Sequence, residues 1–248
     1  MKKTSLILMA VVLITACKEK KESEEPAVTG EATEQPAPES EWVVLFDGTS
    51  FDGWKGYNQE AVPEAWKIED GAMVLNIPDP RPEGANYNLV TERTFHNFVL
   101  SLEWKIAEGG NSGVFWGVEE LEKFGQPYDT GPEIQVLDNE RHPDAKNGTT
   151  HQAGALYDMV APSAEVCKPA GQWNAMEITI DYANQNGKVS LNGTEIVTFP
   201  LGNQAWDDMV ANSKFDGWEG FGKYPVGKIG LQDHGDQVSY RNIKIKPL

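Results

Sequence analysis

The chain has 248 residues, 40% hydrophobic and 10% aromatic, with a formal net charge of −17. That length allows one large domain or two small ones, and the apolar fraction is enough for a packed core. The acidic balance leaves no basic stripe to neutralise phosphates, which excludes a nucleic-acid partner, and two cysteines, Cys17 and Cys167, exclude a disulfide framework.

In chain order, residues 1–16 read as an address rather than as part of the fold. Lys2 and Lys3 precede a short apolar run, Leu6 to Ile14, too short to stay in a bilayer as a spanning anchor. The run ends in Ile14-Thr15-Ala16-Cys17, which resembles the lipobox that is cleaved before a lipid-modified cysteine. Cys17 is therefore expected to carry lipid and to be the only membrane attachment, with Cys167 left as a lone thiol. An ordinary secretory signal, with Cys17 incidental, is the plainer alternative. Residues 17–41 are dominated by Glu, Lys, Pro, Ser, Thr and Ala, with Val28 the one sizeable apolar residue, and are expected to be a disordered tether. Lys18-Glu19 resembles the charged export signal of surface-displayed lipoproteins. The expected location is thus the cell envelope, at the outer membrane or facing the periplasm.

Residues 42–248 contain no second linker and read as one domain of short strands. Val43 to Phe46 stops at Asp47-Gly48, and Trp66 to Glu69 turns at Asp70-Gly71 into Met73 to Leu75. Phe98, Leu100, Leu102, Trp104 and Ile106 alternate with period two and share one face. Met176 to Ile180, Lys188 to Leu191 and Glu195 to Phe199 form a meander, with turns expected at Asn186-Gly187 and Asn192-Gly193, where both residue types tolerate positive φ. Trp206, Met209 and Val210 after Asn203 predict a short surface helix, and Val238 to Ile245 a last strand. The pattern predicts an all-β sandwich or barrel of two antiparallel sheets with short helical insertions, one sheet face curved and open to a ligand.

The run Gly131 to Asp138 carries the densest chemistry. As a strand it sends Ile134 and Val136 to the core and Glu133 and Gln135 the other way, and a bulge after Val136 would add Asp138 to the polar face. The spacing is similar to the Glu-x-Asp-x-x-Glu strand of jelly-roll glucanases, but the central acid is an amide, so a retaining carboxylate pair is missing. A polar strand facing water is the plain alternative. In Ile229 to Gly235, Gln232 and His234 share one face, Gly230 leaves room beside it, and His234 suits acid–base or metal-ligand work near neutral pH. His151 lies in the loop after the Glu133 strand, where loops often close over a site, while His96 reads as structural. No paired-Cys or His-Glu-x-x-His spacing marks a zinc site, and no phosphate loop occurs. Trp54, Trp116, Tyr128, Tyr157, Trp218 and Tyr224 lie in or beside Gly-rich loops, an ensemble that favours stacking on sugar rings. Phe51-Asp52-Gly53-Trp54 is echoed by Phe215-Asp216-Gly217-Trp218, one pair being too little to prove a repeat.

These segments together resemble the 3-keto-disaccharide hydrolase family. The resemblance rests on Leu45-Phe46-Asp47-Gly48 with Asp52-Gly53-Trp54, Gly110 to Val114, Pro132 to Asp138, Gly171-Gln172-Trp173-Asn174, Leu191-Asn192-Gly193, and Gln232 to Gly235 through Arg241-Asn242-Ile243, in order from Trp42 to Leu248. It implies a concanavalin A-like jelly roll and action on glycosides oxidised to a ketone at C3. A C3 ketone acidifies the C2 hydrogen, so a base removes it, C1 expels its substituent, and water adds to the resulting glucal. On this reading Glu133 and His234 are the acid–base or metal-binding pair. Asn111, Gln135 and Gln232 orient hydroxyls, and Trp116, Asp138, His151 and Tyr157 complete the substrate contacts. No cofactor is certain; a divalent metal ion held by Glu133 and His234 would polarise the ketone. A partner oxidoreductase must supply the oxidised glycoside, since this chain lacks a dinucleotide fingerprint. Two alternatives stand beside the enzyme: a non-catalytic cell-surface carbohydrate-binding module of lectin-like fold, and an ordinary jelly-roll glycosidase, which Gln135 disfavours.

Overall fold

The computed structural model describes residues 41–248. The leader, residues 17–40 of the tether and the expected lipidation of Cys17 lie outside the described residues.

Thirteen strands and one short α-helix are present among them. In chain order they are β1 (Val43–Phe46), β2 (Trp54–Gly56), β3 (Trp66–Glu69), β4 (Ala72–Leu75), β5 (Leu89–Thr91), β6 (Phe98–Ile106), β7 (Asn111–Val118) and β8 (Glu133–Leu137). Then come β9 (Asn174–Asp181), β10 (Asn186–Leu191), β11 (Thr194–Pro200), α1 (Gln204–Ala211), β12 (Lys228–Leu231) and β13 (Val238–Pro247). One sheet runs β11-β10-β9-β6-β13-β4-β3, with β1 also pairing β13; the other runs β2-β5-β12-β7-β8. Every pairing is antiparallel. This is a sandwich of two antiparallel sheets, as the strand pattern predicts, with the jelly-roll architecture that the resemblance implies.

β6 shows how the core is made. Its alternation puts Phe98, Leu100, Leu102, Trp104 and Ile106 at 2% exposure or less, while the residues between them stay half-buried. Each such side chain contributes roughly 1.5–3 kcal/mol by leaving water. Facing them from the second sheet are Val114, Ile134, Val136, Ile229 and Leu231. The buried Ser112 hydroxyl in this layer is satisfied: its Oγ lies 2.8 Å from Tyr240 Oη of the opposite sheet and donates to Gln232 O at 2.7 Å.

Local expectations fare unevenly. Asn192 (φ 50°) and Gly193 (φ 83°) do make the β10–β11 turn. Asn186 and Gly187 do not turn; they pair with Asp181 and Ile180, and the reversal occupies Tyr182 to Gln185, with Gln185 at φ 54°. Gly187 is a glycine for a different reason: a Cβ there would meet the Phe199 ring at 2.2 Å. α1 forms as predicted, its Asn203 side chain accepting the Trp206 N–H at 3.1 Å as N-cap. The Phe51 and Phe215 echoes diverge, with Trp54 buried in β2 and Trp218 exposed at a cavity rim.

Candidate functional site

On the outer face of the five-stranded sheet, the period-two pattern of β7 and β8 places Glu133 opposite Phe115 and Gln135 opposite Gly113. Gly113 is what makes room there, since a Cβ on it would fall 2.1 Å from Glu133 Oε1. Gly230, expected to leave space for a ligand, instead accommodates the Phe115 ring. The free edge of β8 is covered by the following loop. Gln135 N donates to Ala155 O, Gly154 N to Gln135 O, and Tyr157 N to Glu133 O at 3.0 Å, which fixes Tyr157 beside Glu133.

These residues line a cavity of about 300 Å³ together with Asn111, Tyr128, Lys214, Phe215, Trp218, Gln232 and His234. Segments a hundred residues apart are tied into it by backbone bonds. Gln232 N donates to Gly113 O at 2.9 Å, and Asn111 N donates to Asp236 Oδ2 at 3.0 Å. The turn carrying His234 is built on Asp233, whose carboxylate accepts from Arg81, Tyr87 N and Gly235 N.

The electrostatics of the cavity are uneven. Glu133 is 7% exposed, makes no hydrogen bond through its carboxyl, and burial pushes its pKa up to about 8; Lys214 works against that shift and Asp144 adds to it. Asp144 goes the other way. Burial works to raise it, but hydrogen bonds from Asn147, His151 and Tyr157 outweigh burial and hold it below the usual carboxylate range. Tyr157 Oη donates to Asp144 Oδ2 at 2.9 Å, and burial with that bond raises the phenol. Lys214 Nζ sits 4.0 Å from the centre of the Tyr157 ring. His234 is about half exposed, and burial lowers its pKa against the pull of Asp236. Two buried acceptors, Asn111 Oδ1 and Gln232 Oε1, have no hydrogen-bond partner. Each is an open position for a donor brought by a ligand, because a buried acceptor left unmade costs about 1–3 kcal/mol.

The fold thus brings together six of the sequence-predicted residues, Glu133, His234, Asn111, Gln135, Tyr157 and Gln232, around one hollow. Three lie elsewhere. Trp116 is in the core, stacked at 5.6 Å on Phe199 and beside Trp206, because its place in β7 is one residue out of phase with Phe115 on the outer face. Asp138 does not join Glu133 and Gln135. It accepts from Gly109 N and Glu140 N, lies 3.6 Å from Arg141, and lines a separate depression with Cys167. That thiol is free, and burial pushes it up to about 12. His151 stands behind the cavity, its two ring nitrogens 3.0 Å from Asp144 and 3.1 Å from Asp158, so it holds the carboxylate that Tyr157 leans on. Sequence reading passed over Lys214 and Asp144. A lone lysine after a surface helix carries no pattern, and only the fold shows what it faces.

Among the described residues, one group of three potential metal ligands closes to within 4.8 Å: His142, His234 and Asp236. Glu133 is not part of it. His142 Nδ1 accepts the Asp144 N–H at 3.1 Å, so the neutral ring carries its proton on Nε2 and offers no free lone pair. In this arrangement His142 is committed to the Asp144 N–H, which leaves His234 and Asp236 as the two ligands of the trio not so engaged.

Comparison with known proteins agrees with this architecture. Residues 41–246 match the model of the 3-keto-alpha-glucoside-1,2-lyase-like domain. A curated relative from Bacteroides thetaiotaomicron, named 3-keto-disaccharide hydrolase, is 37% identical over 237 residues, covering 86% of this chain and 80% of the relative. A crystal structure from Parabacteroides distasonis, provisionally assigned as a glycosyl hydrolase, superposes with a TM-score of 0.74 at 31% identity, covering 84% of this chain and 94% of the other. A second from the same organism gives 0.60 at 25% identity, covering 84% and all of that chain. The chain belongs to the family of 3-keto-alpha-glucoside-1,2-lyase-like domains.

Proposed function

We propose that the chain is a carbohydrate-active hydrolase that cleaves 3-keto-glycosides, with Glu133 as the base that takes the C2 proton. The observation that carries the reading is a carboxyl with no protein hydrogen bond, raised to about 8, in a cavity that also presents two unpaired buried acceptors and an ammonium group. The name of the Bacteroides relative supports the same substrate class.

The chemistry asks little of the protein beyond placement. Glu133 removes the proton that the C3 ketone has acidified, and negative charge develops on the C3 oxygen, where Lys214 stabilises it. The C1 substituent leaves with a proton from His234, and water then adds across the double bond, hydroxyl to C1 and hydrogen to C2, for net hydrolysis. Asn111 Oδ1 and Gln232 Oε1 accept from sugar hydroxyls, and Asp144, held ionised, anchors Tyr157. Opposite displacement of two nearby carboxyls is how a site keeps one protonatable group and one fixed charge. The oxidised substrate implies a separate oxidoreductase upstream, and residues 1–17 support placing the chain on the cell envelope as a lipoprotein.

Incubating the protein with a 3-keto-disaccharide in D₂O tests this by NMR. Release of the unoxidised sugar with deuterium at C2 of the oxidised product, beyond the exchange that product alone shows, is expected. Release without deuterium means direct hydrolysis and removes Glu133 from its role. An intact disaccharide, bound reversibly and no better than its unoxidised form, makes the protein a carbohydrate-binding module.

A further inference from the structure

Beside the Glu133 cavity lies a second one, about 290 Å³ against about 300 Å³, and the two share Tyr128 and His234. We propose that this second cavity is the site of the leaving sugar, so that the glycosidic bond crosses the Tyr128–His234 boundary. The assignment rests on the function proposed above and extends it to specificity. Each volume is at the low end for small-molecule sites, suited to one sugar ring. The oxidised ring must lie where Glu133 reaches C2. The only shared wall then faces the C1 substituent, and His234, standing in that wall, is adjacent to the leaving oxygen.

The walls of the second cavity say what it takes. Asp233 is fully occupied by Arg81, Tyr87 N and Gly235 N, so no acceptor carboxylate is on offer. Asn88 is equally committed, its Oδ1 accepting Asp233 N and its Nδ2 donating to Asn86 Oδ1 and Gln126 Oε1. Those bonds orient the Asn86 and Gln126 amides and leave their N–H groups unpaired within the protein, beside the Arg81 guanidinium. What remains is a donor-rich surface. It matches the hydroxyl oxygens of a second sugar rather than an apolar aglycone.

Ala85 lines this cavity and is bound to its surroundings through its backbone alone, N to Pro82 O and O from Arg81. Ala85→Trp therefore fills the cavity without removing a hydrogen bond, and Ala85→Leu is a smaller obstruction should the larger side chain disturb folding. The readout is the ratio of kcat/KM for a 3-keto-disaccharide to that for methyl 3-keto-glucoside, whose aglycone is too small to need the cavity. The ratio is expected to fall at least tenfold in Ala85→Trp and by less in Ala85→Leu. An unchanged ratio in both variants overturns the assignment. If the wild-type protein cleaves neither compound, the hydrolase reading fails on its own, and calorimetric Kd values for the same two compounds give the ratio instead. A loss confined to the disaccharide supports the subsite, and an equal loss for both refutes it.

Discussion

Replacing Glu133 by Gln separates the cost of the site from its use. The amide keeps the shape of the side chain and cannot ionise. The wild-type carboxyl moves from 4.5 in the unfolded chain to about 8 in the folded protein, because burial disfavours its charged form. A raised folded pKa means that the native state holds a proton the unfolded state gives up. The associated stability is whole below pH 4.5 and is lost as pH rises through 8. At about 1.4 kcal/mol per unit, the cost of keeping Glu133 is under about 1 kcal/mol at pH 5 and reaches about 4–5 kcal/mol at pH 9. Glu133→Gln should therefore match the wild type near pH 5 and exceed it in the alkaline range, by several degrees in melting temperature, while cleavage of a 3-keto-disaccharide is abolished. Thermal or urea unfolding across pH 5 to 9 measures the first, and NMR of the products the second. A variant less stable than wild type at pH 9 refutes the reasoning, because it means the native carboxyl is ionised and stabilised by a partner such as Lys214.

Two further outcomes test the surroundings. Lys214 lowers the Glu133 pKa by its charge, so Lys214→Met should move the rising limb of the kcat/KM profile to higher pH; a limb that stays put or moves toward acid removes Lys214 from the site. Trp116→Ala should cost about 3–5 kcal/mol in urea unfolding, as expected for a ring at 2% exposure packed on Phe199 and Trp206. A large rise in KM with unchanged stability would put that ring back in the cleft.

A buried glutamate whose pKa burial raises, and a neighbouring aspartate held ionised by three hydrogen bonds, are two responses to one constraint. Both carboxyls lie close to Tyr157, yet only Asp144 is supplied with donors. The sheet explains the difference. Glu133 projects from the first residue of β8 over a glycine of β7, where neighbouring backbone N–H groups are spent on the ladder, whereas Asp144 lies in a short helical turn whose neighbours can turn toward it.

How much was legible in the residues follows the range of the interaction. The positions of β1, β3, β4, β6 and β9, the buried face of β6, the Asn203 cap and the Asn192-Gly193 turn depend on period, capping and φ preference, all local quantities, and they read correctly from the chain, whereas β2, β5 and β7 gave no strand pattern to read. The facing of Glu133 and Gln135 followed from the same period-two rule. What failed was local chemistry overruled by distant partners. Asn186-Gly187 became strand because Phe199 needed the space, and Trp116 went inward because β7 alternates through a glycine-rich segment that hides its phase. Asp138 was drawn to Gly109 N, and His151 to two acids behind the site. Composition and spacing therefore determined a two-sheet sandwich with a polar open face. Which side chains share that face's hollow, which acceptors stay unpaired and which carboxyl is forced to hold its proton were decided by tertiary structure. Desolvation and pairing depend on neighbours brought from a hundred residues away, and no local pattern encodes them.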